Sequence, residues 1–226
     1  QNDDGALVQR YAERMQGVCE ELSDGRGTAT AMRFSGIGCL LSKEFQAAEK
    51  WLNKSIDMFS ELESRGEQYS ISVAAAYNFI GDVRCYNNSF DDALIYYQKS
   101  LALCDIRRIA WGKDLILGNA AMAAYESGDR ALAKEYVLAA IKTMNGISVG
   151  RGIVLVNCFM ALIKINEGNL KSALEYLSKA ELHSRQLKKK LWIGLVYRVK
   201  AEMRSSIDCN GIIEVKALSE SVDKYL

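Results

Sequence analysis

The sequence has 226 residues and a formal net charge of +1, from 29 basic and 28 acidic residues. This balance argues against direct nucleic-acid binding, which depends mainly on an excess of lysine and arginine that neutralises phosphates. It also gives no polybasic signal for a membrane surface, and no apolar run approaches the roughly 18 residues of a spanning helix. We therefore expect no direct contact with nucleic acid or membrane.

The six cysteines and the single histidine show none of the spacings that are typical of a metal site. Most of the cysteines lie within apolar helical patterns, where a thiol behaves as a small hydrophobic side chain. They are Cys19, Cys39, Cys85, Cys104, Cys158 and Cys209. We expect reduced thiols in a cytoplasmic protein, with no bound metal and no cofactor.

The absence of proline lets helices run without forced breaks. Taken in chain order, the first predicted helix covers residues 3–22 and carries an apolar stripe on one side. The stripe consists of Leu7, Val8, Tyr11, Met15, Val18 and Leu22. This stripe predicts that the helix packs against neighbours.

Four later sets of residues then repeat one spacing: a small residue, an alanine twelve residues on, a larger residue four further and a small residue three beyond that. The sets are Gly36, Ala48, Leu52 and Ser55; Gly81, Ala93, Tyr97 and Ser100; Ala121, Ala133, Val137 and Ala140; and Ala161, Ala173, Leu177 and Ala180. The second member of every set is an alanine, and these four alanines recur at nearly regular intervals along the chain. Short side chains at these points predict crossings at which antiparallel helices approach closely, and the four alanines should be almost fully buried.

This spacing resembles the tetratricopeptide repeat (TPR), most closely between Ile80 and Leu101. In that family each repeat is a pair of antiparallel helices that can bury its apolar face only by stacking on its neighbours. The alanines recur with a period of about 40 residues, which is longer than the usual TPR period. Such a long period without proline resembles the MalT-like subclass, which occurs in large bacterial transcription regulators. The resemblance implies an all-α fold, a right-handed α-α superhelix (a TPR-like solenoid) of about five helix pairs.

The resemblance and the spacing together predict a single domain over residues 1–226. Residues 1–24 contain the second helix of a truncated repeat, because a step of one period back from Ala48 reaches Val8. Repeats are expected at 27–66, 67–108, 109–148 and 149–187, followed by a degenerate capping repeat at 188–226. A domain that opens on half a repeat exposes a packing face, so we expect further domains of the same polypeptide on the N-terminal side.

First helices line the concave face of such a superhelix, and the resemblance indicates which of their residues point inward. We expect a ligand or partner to contact Arg33, Asn78, Asp82, Tyr86, Met122, Tyr125, Glu126, Asn166 and Arg198. Tyrosines beside amides and carboxylates suit a peptide, a protein or a small polar effector. The site is expected between the second and third repeats, with aliphatic residues on both sides, among them Leu40, Leu41, Leu162 and Ile165. A merely solvated concave face is the alternative.

Enzyme motifs are absent, so no catalytic residue is predicted. The segment from Gly146 to Gly152 lacks the lysine of a phosphate-binding loop, and the pair Gly36 and Gly38 lacks a third glycine. His183 has no serine or cysteine partner that the sequence identifies.

These features favour a non-catalytic binding module, the sensor or effector-binding domain of a larger bacterial transcription regulator. Two alternatives stay open. One is a stand-alone scaffold for protein–protein interaction. The other is a receptor similar to the TPR-type peptide-pheromone receptors, in which a ladder of asparagines such as Asn78, Asn119 and Asn157 holds the peptide backbone.

Overall fold

A computed structural model of the chain describes residues 3–66, 68–109, 112–143, 151–187 and 190–210. Within these ranges the chain forms ten α-helices and no β-strand. The helices are α1 (Asp3–Glu21), α2 (Gly25–Leu41), α3 (Phe45–Ser64), α4 (Ser70–Tyr86), α5 (Phe90–Ile106), α6 (Lys113–Glu126), α7 (Arg130–Thr143), α8 (Arg151–Asn166), α9 (Leu170–Leu187) and α10 (Lys190–Asn210). The predicted capping helix over residues 211–226 lies outside the described residues. No described helix combines the length and the apolar character needed to cross a bilayer.

The helices pack in antiparallel pairs, α2 with α3, α4 with α5, α6 with α7 and α8 with α9. Each pair stacks on the next through contacts such as those of α3 with α4 and of α5 with α6. The backbones of the even-numbered helices α2 to α10 approach one another in sequence, whereas those of α3, α5, α7 and α9 stay further apart, so the even-numbered helices form the inner layer. This arrangement confirms the predicted all-α superhelix.

The small residues lie at the helix crossings, as predicted. Ala48, Ala93, Ala133 and Ala173 are all at most 1% exposed. A Cβ atom added to Gly36 would lie 2.7 Å from Cγ of Leu52, closer than real side chains approach. The helices therefore approach so closely at this crossing that position 36 has no room for a side chain.

Two buried hydroxyl groups tie the outer helices to the inner ones. Ser55 on α3 donates a hydrogen bond of 2.7 Å to the carbonyl of Ala29 on α2. Ser100 on α5 donates an equivalent bond of 2.7 Å to the carbonyl of Ala74 on α4. Alanine stands at the matching positions of α7 and α9, so the first two pairs carry a connection that the later pairs lack.

Turns with the same geometry end several helices. Lys43, Asn88 and Gly168 each adopt a positive φ, of 64°, 58° and 73°. The following residue in each case donates its N–H to a carbonyl five residues earlier, for example Glu44 to Cys39 at 2.8 Å. This is the Schellman arrangement, which satisfies carbonyls at a helix end and reverses the chain into the next helix.

Helix α1 packs on α2 through a different face from the predicted stripe. Its buried side chains are Ala12 and Cys19, and a Cβ on Gly38 of α2 would collide with Gln9. Val8 and Met15 from the stripe are half-buried. The other stripe residues, Leu7, Tyr11, Val18 and Leu22, are exposed. The small residues of α1 permit close packing, and the larger apolar ones lie on the side that faces away from α2.

Five cysteines, at positions 19, 39, 85, 104 and 158, carry free thiols. The side chain of Cys209 lies outside the described residues.

Candidate ligand-binding groove

The nine predicted site residues all lie on the inner layer formed by α2, α4, α6, α8 and α10. They do not form one site. Some join a buried hydrogen-bond network between α4, α5 and α6, and others connect α6 to α10. Arg33 and Tyr86 lie on an open surface of α2 and α4, while Met122 packs on the core and Asn166 bonds Arg130.

The first network centres on Asp82. Its Oδ1 accepts a hydrogen bond of 2.8 Å from the hydroxyl of Tyr97 and one of 3.1 Å from Nδ2 of Asn119. The same Nδ2 also donates to Oδ1 of Asn78 at 3.1 Å. Asn78 is 5% exposed, so its expected role as a ligand contact is corrected. Because Asn119 on α6 covers it, Asn78 helps to join α4 to α6.

Burial governs the acidity of the groups in this network. Burial raises the pKa of Tyr97 well above its ordinary value, and the nearby Asp82 carboxylate raises it further. Burial also raises the pKa of Cys85 to about 11, against a weaker opposing effect of its contact with Tyr97. Both groups are therefore protonated at neutral pH, and the network has the character of a structural hydrogen-bond cluster.

The second network spans the concave face from α6 to α10. The Tyr125 hydroxyl on α6 donates to a carboxylate oxygen of Glu202 on α10. One helical turn before Glu202 on α10, Nη2 of Arg198 lies 2.5 Å from Oε1 of Glu126 on α6. Burial raises the pKa of Tyr125, and the bond to Glu202 adds to the shift. Tyr125 with Glu202 and Glu126 with Arg198 thus form two connections from α6 to α10 across the groove.

Helix α8 lies beneath these connections and is buried on nearly every side. Leu162 and Ile165 are 4% and 6% exposed, and the Phe159 ring packs under that of Tyr125 at 6.0 Å between centroids. The expectation that Leu162 and Ile165 flank a ligand is therefore wrong, because side chains of α6 and α10 close over α8. Asn166 at the exposed end of α8 accepts a hydrogen bond of 2.7 Å from Arg130.

The open part of the concave face lies on α2 and α4. Leu41 is 41% exposed and Tyr86 is 53% exposed, although both are large and largely apolar. The Tyr86 ring stacks on that of Phe45 with centroids 5.8 Å apart and an interplanar angle of 16°. Leu40, expected beside Leu41 in the groove, is buried in the core instead.

Arg33, also on α2, is half-buried, and its Nε is enclosed without a hydrogen-bond partner. Burial lowers the pKa of its guanidinium. Met122, the ninth predicted residue, is half-buried on α6 and packs against the apolar core. Arg33 and Tyr86 are therefore the predicted residues that remain available on the open surface.

Asn119 was expected in a ladder of asparagines that holds a ligand, not as a bond between α4 and α6, and Phe159 was not singled out from the sequence. Asn119 and Phe159 each lie two residues before the small residue of an inner helix and face the preceding inner helix. The repeat spacing carries that signal, and it applies to Phe79 as well. The pairing of Glu202 with Tyr125 had no sequence signal, because the two residues are 77 positions apart and their meeting depends on the curvature of the superhelix.

The groove is open rather than enclosed. Two clefts of the described part lie elsewhere: one of about 160 Å³ between α9 and α10, lined by Glu181 and Tyr197, and one of about 510 Å³ near Arg26 and Tyr69. Within the described ranges no three acidic, cysteine or histidine side chains cluster in a way that would hold a metal ion.

No protein-family model matches the sequence, and no curated protein is similar to it at a significant level. Solved structures do match the fold. BtubC (BKLC) from P. vanneervenii superposes with a TM-score of 0.65 at 13% identity, covering 98% of this chain and 92% of that one. The TPR-like repeats of a kinesin light chain from Podosopora anserina give 0.53 at 11% identity, covering 84% and 99%.

A third structure, aspartyl phosphate phosphatase F from Bacillus subtilis, gives a TM-score of 0.63 at 13% identity and covers 98% of this chain. This chain spans 64% of the length of that protein. Identities this low show the fold alone. Together with the helix pairs and their small-residue crossings, these matches define a TPR-like helical-repeat fold.

Proposed function

We propose that the chain is a non-catalytic binding module that holds a peptide or an extended protein segment on the concave face of α2 and α4. The observation that carries this proposal is the distribution of exposed apolar side chains on the inner layer. Those on α2 and α4 are Phe34, Leu41, Ile71 and Tyr86, which are 39–53% exposed. Among the described residues of α6 and α8 there is no exposed large apolar side chain.

This contrast arises because side chains cover the inner surface of α8 but not that of α2 and α4. Over α8 the groove is closed by the Tyr125–Glu202 and Glu126–Arg198 connections, which leave little room for a partner. Over α2 and α4 no described side-chain bond crosses the groove. Exposed apolar groups flanked by polar ones are typical of interaction surfaces, because burying them in a partner is favourable.

The shape favours a polypeptide over a small molecule. Small ligands usually bind in enclosed cavities that cover most of their surface. Here the exposed apolar residues follow two neighbouring helices along an open groove, so an extended chain can contact several of them at once. Aromatic residues such as Tyr86 add large contact area at low entropic cost.

A selection from a displayed library of random dodecapeptides tests this function. We expect the wild-type chain to select peptides and the double variant Leu41→Ala/Tyr86→Ala to lose them. The matched control is Ile95→Ala/Leu138→Ala, which removes two exposed apolar side chains from α5 and α7 in the outer layer. Loss of binding in the control but not in the groove variant would show that the outer face is the binding surface.

The cellular context is a finer part of the proposal. The long repeat period supports a MalT-like division of the chain into repeats at 27–66, 67–108, 109–148 and 149–187, and with it a sensor domain within a bacterial transcription regulator. Open reading frames that encode this domain test the point. A DNA-binding or P-loop domain in the same polypeptide supports the regulator, and a chain with no other domain supports the scaffold.

A further inference from the structure

We propose that Arg33 is the anion-recognition point of this groove, so that the bound segment carries an aspartate or glutamate about three or four residues from an apolar side chain. The inference rests on the proposed function, since it assigns the chemistry of the same groove. The inference predicts that the groove binds peptides in which an acidic residue lies about three or four residues from an apolar one.

The first observation is the lack of a partner for Arg33. Among the described residues no carboxylate forms an ion pair with it, and its Nε is buried without a hydrogen bond. Its only described interaction is with the neighbouring Phe34, whose ring centroid lies 5.5 Å from Cζ. Arg84 also has a buried Nε without a hydrogen bond, but it forms an ion pair with Glu49, and Arg198 pairs with Glu126.

This absence has an energetic cost. A partly desolvated charge is unfavourable unless it is paired and hydrogen-bonded. Lysine can lose its proton in such a place, but arginine stays charged at any physiological pH. An incoming carboxylate relieves the cost, because the planar guanidinium can donate two parallel N–H···O bonds to it. The free chain lacks the stabilisation that comes from pairing this guanidinium with a carboxylate, and a bound acidic segment supplies it.

The second observation is the position of Arg33 on α2. Gly36 faces α3 and Gly38 faces α1, because added Cβ atoms there would collide with Leu52 and Gln9. Arg33 and Leu41 both lie on the arc of α2 between these two directions, since each residue turns the helix by about 100°. That arc faces neither α1 nor α3, so it is directed toward the groove.

The spacing along α2 fixes the spacing along the ligand. Eight residues separate Arg33 from Leu41, which corresponds to about 12 Å along the helix axis. An extended segment rises about 3.3 Å per residue, so this distance is about three or four of its residues. The exposed ring of Tyr86, stacked on Phe45 just after the turn that ends α2, adds apolar surface at the Leu41 end.

The test compares peptide selections on three proteins with a displayed random dodecapeptide library. The proteins are the wild type, Arg33→Gln, and the control Arg107→Gln, which removes an exposed arginine at the end of α5 in the outer layer. Circular dichroism melting confirms that each variant is folded. We expect acidic residues to be enriched three or four positions from an apolar residue with the wild type and with Arg107→Gln. With Arg33→Gln the acidic enrichment should disappear while the apolar preference remains.

One selected acidic peptide is then synthesised with its key Glu or Asp and with the matching amide. We expect the amide to weaken binding to the wild type by about tenfold or more, the range for a charged hydrogen bond, and to change binding to Arg33→Gln less than twofold. Acidic enrichment that persists with Arg33→Gln, or wild-type peptides without acidic residues, would overturn the assignment of Arg33 while leaving the groove function standing. Peptides that bind equally well to Leu41→Ala/Tyr86→Ala would overturn both.

Discussion

The ring of Tyr97 occupies the space that a side chain at Gly81 would need: an added Cβ would lie 2.7 Å from Cδ1 of Tyr97. Tyr97 is fully buried and its hydroxyl is held by Asp82, so the ring cannot swing away. In the next pair the same positions are Ala121 and Val137, where a smaller outer residue leaves room for the methyl group. The sizes of the two facing residues therefore compensate: a large Tyr97 faces Gly81 in one pair, and a smaller Val137 faces Ala121 in the next.

This relationship predicts the effect of Gly81→Ala. We expect a loss of about 1–3 kcal/mol in the free energy of unfolding, because the extra methyl group overpacks a crossing that cannot relax. Urea unfolding monitored by circular dichroism measures it. The control is Gly17→Ala on α1, where an added Cβ meets nothing within 4 Å and where helix propensity should stabilise the chain. Equal effects of the two substitutions would contradict the assigned crossing.

The repeated turn geometry predicts that Lys43→Gly stabilises the protein. Lys43 has a φ of 64°, a conformation that costs an L-residue about 1 kcal/mol and that glycine adopts freely. We expect the thermal midpoint to rise. Lys50→Gly, an exposed site inside α3, should lower it, because glycine is unfavourable in a helix interior. A lower midpoint for Lys43→Gly would show that the lysine side chain makes a contribution of its own.

The connection across α8 predicts energetic coupling between Tyr125 and Glu202. In a double-mutant cycle with Tyr125→Phe and Glu202→Gln, we expect a coupling of about 1 kcal/mol in the free energy of unfolding, since the bond is partly shielded from water. The comparison pair is Gln98 and Tyr136, joined by an exposed bond of 3.1 Å between α5 and α7. Its coupling should be close to zero, and the reverse ranking would argue against a closed groove over α8.

The buried thiol of Cys158 predicts a pH dependence of stability. Burial raises its pKa to about 12, so the folded protein keeps the proton at a pH where the unfolded chain, with a thiol pKa near 9, has lost it. The unfolded state then binds fewer protons, and stability falls by up to about 1.4 kcal/mol per pH unit above pH 9. This contribution is fully present below pH 9.

Cys158→Ala isolates that contribution from those of other groups. The difference in free energy of unfolding between wild type and variant should shrink by about 1 kcal/mol when the pH rises from about 8 to about 10. A difference that stays constant, or that grows, would mean that the thiol ionises in the folded state or is not buried there.

Local spacing was sufficient to predict the fold. The alanines and glycines at the crossings make their contacts within one helix pair. The sequence close to Ala93 or Ala133 is therefore enough to predict the crossing. The candidate site depended on longer-range geometry. Nothing near Glu202 or Tyr125 in the sequence indicates that α6 and α10 approach across α8, because that approach results from curvature accumulated over two pairs.

The repeat spacing also did not determine how deeply each inward-facing residue is buried. Asn78 and Leu162 occupy the inward phase of their helices, yet the first is covered by Asn119 and the second by the side chains around α8. The periodicity predicts the side of the helix on which a residue lies, but not which side chains cover it. Tyr86 shares that phase and remains exposed because no described side chain from α6 closes over it.

The most direct test of the central claim is photo-crosslinking of a library-selected peptide. A benzophenone amino acid is placed singly at Leu41 or Tyr86 in the groove, and at Ile95 or Leu138 in the outer layer, all of which are exposed. We expect cross-linked peptide at the first two positions and none at the other two. Cross-links confined to Ile95 or Leu138 would contradict a binding groove on α2 and α4.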